Sequence, residues 1–187
     1  MSVSATMAWS VHLPTVDVTR CTLLLEPPAP GDPWPLSLAL SVVDRAGAQR
    51  RGRPDAVGAG RGRPLITRAE LDWDGAPLHL AATHASGSGL DELVLEAPAW
   101  DQLVGLGGWS EDRWWELVDA LADATGAVSG AVGDGEAVGC DPRAGEEWIA
   151  ALRRQIGLLL PAAPDRLAGR AALYRELPLS GLVVVLR

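Results

Sequence analysis

The stretch Ser110 to Gly126, Ser-Glu-Asp-Arg-Trp-Trp-Glu-Leu-Val-Asp-Ala-Leu-Ala-Asp-Ala-Thr-Gly, constrains the fold more than any other part of this chain. Ser110 offers a hydroxyl to a free amide of a first helical turn. Glu111 and Asp112 follow, where the positive end of the helix dipole favours carboxylates. Trp114, Leu117, Val118, Leu121 and Ala122 recur at i, i+3, i+4, i+7 and i+8, which is one apolar stripe. Glu116, Asp119 and Asp123 fall on the other side. Gly126 stands just past the end, ready for a left-handed cap. A helix with one apolar face needs a surface to cover, and the segments around it read as an antiparallel sheet.

Val16 to Glu26 is rich in β-branched and aliphatic residues and predicts a strand, broken by the Pro-rich run from Pro27 to Pro33. Leu36, Leu38, Leu40 and Val42 then alternate with Ser37, Ala39 and Ser41. That period of two predicts a second strand, hairpinned to the first. Leu65 to Trp73 and Pro77 to Thr83 flank Asp74-Gly75, a strong hairpin signal because both central positions of a type I′ turn need positive φ. Leu90 to Glu96 reads as the next strand, and Pro98 to Leu106 as a short helix or turn. Ala127 to Val132 and Glu136 to Gly139 flank Asp134-Gly135 as a small hairpin, weakened by Gly130 and Gly133. Asp141 as N-cap and Pro142 at the first helical position open a second helix. Its apolar face is Trp148, Ile149, Leu152 and Ile156, and Gly157 ends it. Ala171 to Glu176 and Leu182 to Leu186 form a closing hairpin, with Val183, Val184 and Val185 in a strand buried on both faces. The expectation is a single α+β domain over 1–187: a mainly antiparallel sheet with two principal helices on one face. Leu117, Val118, Leu121, Trp148 and Leu152 should face that sheet.

A chain of 187 residues buries a sizeable core without disulfides or metal. Sixteen arginines against twenty-four acidic residues leave a net charge of -8, which disfavours anionic membranes and nucleic acid and favours a basic partner. Lys, Asn and Phe are absent, the signature of a GC-rich bacterial genome. Cys21 and Cys140 read as reduced, largely buried thiols. The N-terminus lacks the basic start and apolar core of a secretory signal. No apolar run reaches the roughly 20 residues that span a bilayer. The expected setting is the cytoplasm.

Few residues suggest chemistry. His79 and His84 are five apart, so in an extended chain they point to opposite faces, and no ligand spacing accompanies them. They read as two ordinary strand-end histidines or, alternatively, as part of a metal or acid–base site. Ala85-Ser86-Gly87-Ser88-Gly89 follows a strand but lacks the helix a phosphate loop needs. Asp72, Asp74 and Gly75 resemble a calcium loop only at their start. No cofactor and no metal is expected.

Two other features point to partners. Residues 46–64 form a Gly/Arg/Pro segment with five arginines and one aspartate, expected as a flexible basic loop. Within it Arg51-Gly52-Arg53-Pro54 recurs as Arg61-Gly62-Arg63-Pro64. Each copy resembles the core of an AT-hook, which implies minor-groove contact by Arg51, Arg53, Arg61 and Arg63. Asp55 after the first copy, and Gly60 and Leu65 around the second, depart from that pattern. Trp109, Trp114 and Trp115 crowd the start of the helix. They read either as an aromatic core or as an interface anchor, with Trp109, Glu111, Asp112, Trp115, Glu116 and Asp119 on or near the contact surface.

Trp114-Trp115-Glu116-Leu117-Val118-Asp119-Ala120-Leu121 leading into Gly126-Ala127-Val128, with the closing Leu182-Val183-Val184-Val185, resembles the small bacterial immunity proteins of toxin–antitoxin conflict systems. The resemblance covers about a third of the chain. It implies an α+β, non-enzymatic protein that neutralises a basic toxin or effector domain by binding it. A DNA-associated accessory protein using the arginine segment and a small enzyme using His79 or His84 are the alternatives.

Overall fold

A computed structural model of the chain describes residues 18–60, 63–84, 89–106, 109–133, 157–161 and 173–186. In chain order the elements are β1 (Val18–Leu25), α1 (Pro35–Arg45), β2 (Gln49–Arg50), β3 (Asp55–Gly60), β4 (Arg63–Trp73), β5 (Ala76–Thr83) and β6 (Asp91–Pro98). They continue with α2 (Trp100–Gly105), α3 (Glu111–Thr125), β7 (Ala127–Gly133), β8 (Gly157–Leu160), β9 (Leu173–Glu176) and β10 (Val183–Leu186). The strands form one sheet in the order β2-β4-β5-β6-β1-β7-β8-β10-β9, with β3 also on β4. Every pairing among the described residues is antiparallel. The class is α+β with a mainly antiparallel sheet, as the sequence predicts.

Register fixes which side chains share a face. Leu71 lies opposite Leu78, Leu80 opposite Leu95, and Leu95 opposite Cys21. These residues are buried and belong to the same core as Leu36, Ala39, Leu40 and Val43 of α1 and Trp114, Leu117, Val118 and Leu121 of α3. Each large side chain so buried stabilises the fold by roughly 1.5–3 kcal/mol. The other face carries Glu70, His79 and Glu96 where β4, β5 and β6 run side by side.

Helix α3 matches its sequence signals at both ends. Ser110 Oγ accepts a hydrogen bond from the Arg113 amide at 3.2 Å, and Gly126 adopts φ 65° with its amide turned back to Ala122 and Asp123. Leu117, Val118 and Leu121 are buried beneath it, as expected. The Asp74-Gly75 hairpin also forms, with φ of 50° and 82° at its two central residues. The Asp72 carboxylate accepts from the Gly75 amide at 3.0 Å. Strands β9 and β10 pair as the closing hairpin. Val184 and Val185, on opposite faces of β10, are both fully buried.

Three local expectations fail. Leu36 to Val42 lies in helix α1, and its buried set Leu36, Ala39, Leu40 and Val43 follows the helical period. Strand β1 therefore has no hairpin partner there and inserts between β6 and β7. Gly157, expected to end a helix, opens strand β8, which pairs with β7 and β10. The segment 46–64, expected as a flexible loop, holds strands β2 and β3 and the start of β4. The expected partner strand 136–139 and the second helix, with Trp148 and Leu152, lie outside the described residues. No described helix is long and apolar enough to cross a membrane.

Candidate functional site

Helices α1 and α3 pack side by side on the sheet, and an open groove of about 480 Å³ runs between them. Val42 of α1 and Leu117, Ala120 and Ala124 of α3 supply its apolar floor. Arg45 stands on the α1 wall, and Glu116 and Asp123 stand on the α3 wall.

One aromatic ring, that of Trp73, also lines the groove. Trp73, the last residue of β4, meets Trp109 edge to face, with ring centroids 4.8 Å apart. The Arg113 guanidinium carbon lies 4.4 Å from the centre of the Trp73 ring and 5.4 Å from that of Trp109. The same guanidinium pairs with Asp74 in the β4–β5 turn. Arg113 thus ties the start of α3 to the hairpin through an ion pair and cation–π contact together.

The rim is set by the turn between β9 and β10. Asp119 is buried at 3% exposure, and its carboxylate points at that turn. It accepts from the Leu179 amide at 3.0 Å, the Ser180 amide at 2.9 Å and the Ser180 hydroxyl at 2.7 Å. The turn is closed further by Gly181, at φ 71°, whose amide donates to the Leu177 carbonyl at 2.9 Å. Held this way, the Leu179 side chain stands 61% exposed at the groove. A buried carboxylate that satisfies three donors is a rigid fixture, so the main chain at Leu179 is held in place at the groove.

The residues singled out from sequence fall in different places. Trp109 and Trp115 are core residues, at 5% and 4% exposure, not surface indoles. Trp115 Nε1 donates to Glu111 one turn earlier at 3.2 Å. Trp109 Nε1 has no acceptor among the described residues. Asp112 is exposed and accepts from Arg175 of β9 at 2.7 Å. Glu116 is exposed on the groove wall, while Asp119 is buried. Sequence reasoning missed Leu179, Arg113 and Trp73. The run Leu-Pro-Leu-Ser-Gly over 177–181 marks a turn, but nothing local joins it to Asp119, some sixty residues earlier.

The arginine segment is engaged with its neighbours. Arg50 pairs with Asp44 and Arg51 with Asp72, and the Arg51 amide donates to the Glu70 carbonyl at 2.8 Å. Gly52, at φ 90°, bends the chain there, and Arg53 is exposed. The bonds from Arg51 and then from the Gly75 amide hold the Asp72 carboxyl below its ordinary range. Arg61 lies outside the described residues, and Arg63 opens β4.

His79 is exposed on the sheet face opposite α1 and α3, between Glu70 and Glu96. His84 leaves β5 beside Trp34, with ring centroids 6.2 Å apart. Its Nδ1 lies 2.8 Å from the buried Asp91 carboxylate. The two histidines do not meet. Burial pushes the Cys21 thiol up to about 12, so it is no nucleophile. Among the described residues no three His, Cys, Asp or Glu side chains group to hold a metal ion. Comparison of the chain with protein-family models, with characterised proteins and with solved structures found no significant match.

Proposed function

We propose that this protein works by binding another protein, as an acidic, non-enzymatic inhibitor of the immunity type, and that the α1–α3 groove is its contact surface. The observation that carries this reading is Leu179. A large apolar side chain at 61% exposure is costly to present to water, and here a buried carboxylate holds its main chain beside an apolar groove. A main chain held in place in advance loses less entropy on association, which favours Leu179 as a contact. The net charge of -8 suits a basic partner and speeds its encounter. The test is capture from the producing cells with the wild-type chain and with Leu179→Asp, followed by mass spectrometry and binding kinetics on the protein captured. A basic protein held by the wild type, blocked in its own activity and released at least tenfold faster by the variant, is the expected result. A captured set unchanged by Leu179→Asp counts against the groove.

A second reading rests on His84. A buried carboxylate that holds Nδ1 leaves Nε2 to move a proton. Substrate turnover by the purified protein that is lost with His84→Ala would replace the binding reading with a small enzyme.

A further inference from the structure

The groove's charges specify more than a basic partner, provided that the groove is the contact surface proposed above. Glu116 and Asp123 are exposed and have no ion-pair partner among the described residues. They stand seven residues apart on α3, two full turns, so their Cα atoms are separated by about 10.5 Å along the axis. Ala120 lies midway between them on the groove floor. Arg113 is taken up by Asp74 and the indoles, which leaves Arg45 as the cation of the opposite wall.

We infer that the groove receives an amphipathic helix of a protein partner, with two cationic residues seven apart along one edge and apolar residues between them. A helix laid along α3 repeats the same axial spacing, so its cations at i and i+7 meet Asp123 and Glu116 together. Its residues at i+3 and i+4 then fall over Ala120, whose small side chain admits them, and against Leu179. An extended strand does not fit: residues on one face recur at about 6.6 and 13.2 Å, on either side of the required distance. A polyproline segment brings its third residue to about 9.3 Å but places nothing on that face between the two charges. Helix-in-groove recognition supplies both elements at once.

The probes are labelled synthetic peptides of eighteen residues with a Leu/Ala face. One carries Lys at i and i+7, a second carries Glu at those positions, and a third is a proline-rich peptide with Arg at every third residue. Binding is read by fluorescence anisotropy at low salt. The Lys helix should bind at least tenfold tighter than the Glu helix and than the proline-rich peptide. Glu116→Arg with Asp123→Arg should invert the Lys-over-Glu preference. Leu179→Asp should weaken the Lys helix about tenfold, with circular dichroism unchanged in every variant. Equal binding of the Lys and Glu helices, a preference that survives the double reversal, or tighter binding of the proline-rich peptide overturns the inference. If all peptides fail while the partner captured from cells is still lost by Leu179→Asp, the helical occupant is wrong and the binding reading stands. If the captured partner also ignores Leu179→Asp, both fall.

Discussion

Replacing Asp119 by alanine removes the acceptor for three donors at once: the amides of Leu179 and Ser180 and the Ser180 hydroxyl. Hydrogen bonds to a charged acceptor contribute about 1.5–3 kcal/mol each where water cannot replace them. Leu179 is exposed and Ser180 half-buried, so water recovers part of that loss. The expected destabilisation is about 3 kcal/mol, or roughly 6–12 °C in Tm for a chain of this length. Asparagine should cost about half as much. Its single oxygen can keep the two Ser180 contacts at the Oδ1 position, but its NH2 then faces the Leu179 amide, donor against donor. Urea denaturation measures the stability, and hydrogen exchange at the amides of Leu179 and Ser180 reads the turn directly. Both amides should lose protection in Asp119→Ala, and Leu179 alone in Asp119→Asn. A destabilisation below about 0.5 kcal/mol with amide exchange unaltered would refute the role of Asp119, since that is the level of an ordinary surface substitution.

Two further outcomes are expected from packing and burial. Gly130 of β7 lies against β1 so closely that an added Cβ would sit 2.6 Å from the Thr22 carbonyl oxygen. Gly130→Ala should therefore cost on the order of 2–3 kcal/mol by urea denaturation, because backbone must shift, and a change within about 0.5 kcal/mol, the size of a surface substitution, would show that β1 and β7 are not in this register. Cys21 ionises in the unfolded chain near its ordinary 9.0 but in the fold only near about 12. Above pH 9 the unfolded state binds fewer protons than the native one, so stability falls with rising pH across that window, by up to ~1.4 kcal/mol per pH unit. The chain has no lysine to obscure this slope. In a Cys140→Ser background, Cys21→Ala should flatten it, and equal slopes with and without Cys21 would contradict the assigned burial.

What the sequence reveals depends on how far each determinant lies from its partner. Helix α3 is legible because its caps, first-turn acids and stripe all lie within one short stretch, Ser110 to Gly126, and the Asp74-Gly75 hairpin because its turn chemistry is local. Helix α1 is not legible, because Leu36 to Val42 satisfies two periods. Alternation counts Ala39 with the polar side, whereas in the helix it is part of the buried face with Leu36, Leu40 and Val43. So short a run does not separate those patterns, and Val43, just past the window, decides between them. Strand β8 is not legible either, and its first residue, Gly157, reads as the end of a helix, because its pairing partners are β7 and β10, far off in sequence. The candidate site is the least legible part. Glu116 is recognisable as a surface acid, but Asp119 differs from it only through a turn brought back by β9 and β10. The indoles of Trp109 and Trp115 look like anchors in sequence and are core in the fold. Of the two, Trp109 reaches the groove only through its edge-to-face contact with Trp73.

The position of β1 bears on how the chain is made. It is the first described strand to leave the ribosome, yet its two neighbours are β6 and β7, so that Arg20 meets Glu96 across 76 residues of chain. Until both neighbours have been synthesised, the apolar run Cys21-Thr22-Leu23-Leu24-Leu25 has two open edges and no cover. Loop closure over that distance precedes any gain from the contact, which makes assembly of the sheet centre a slow step. Nascent or refolding chains at high concentration meet one another through that strand before they meet themselves. Refolding yield is therefore expected to fall as the protein concentration rises, which light scattering on dilution from urea measures.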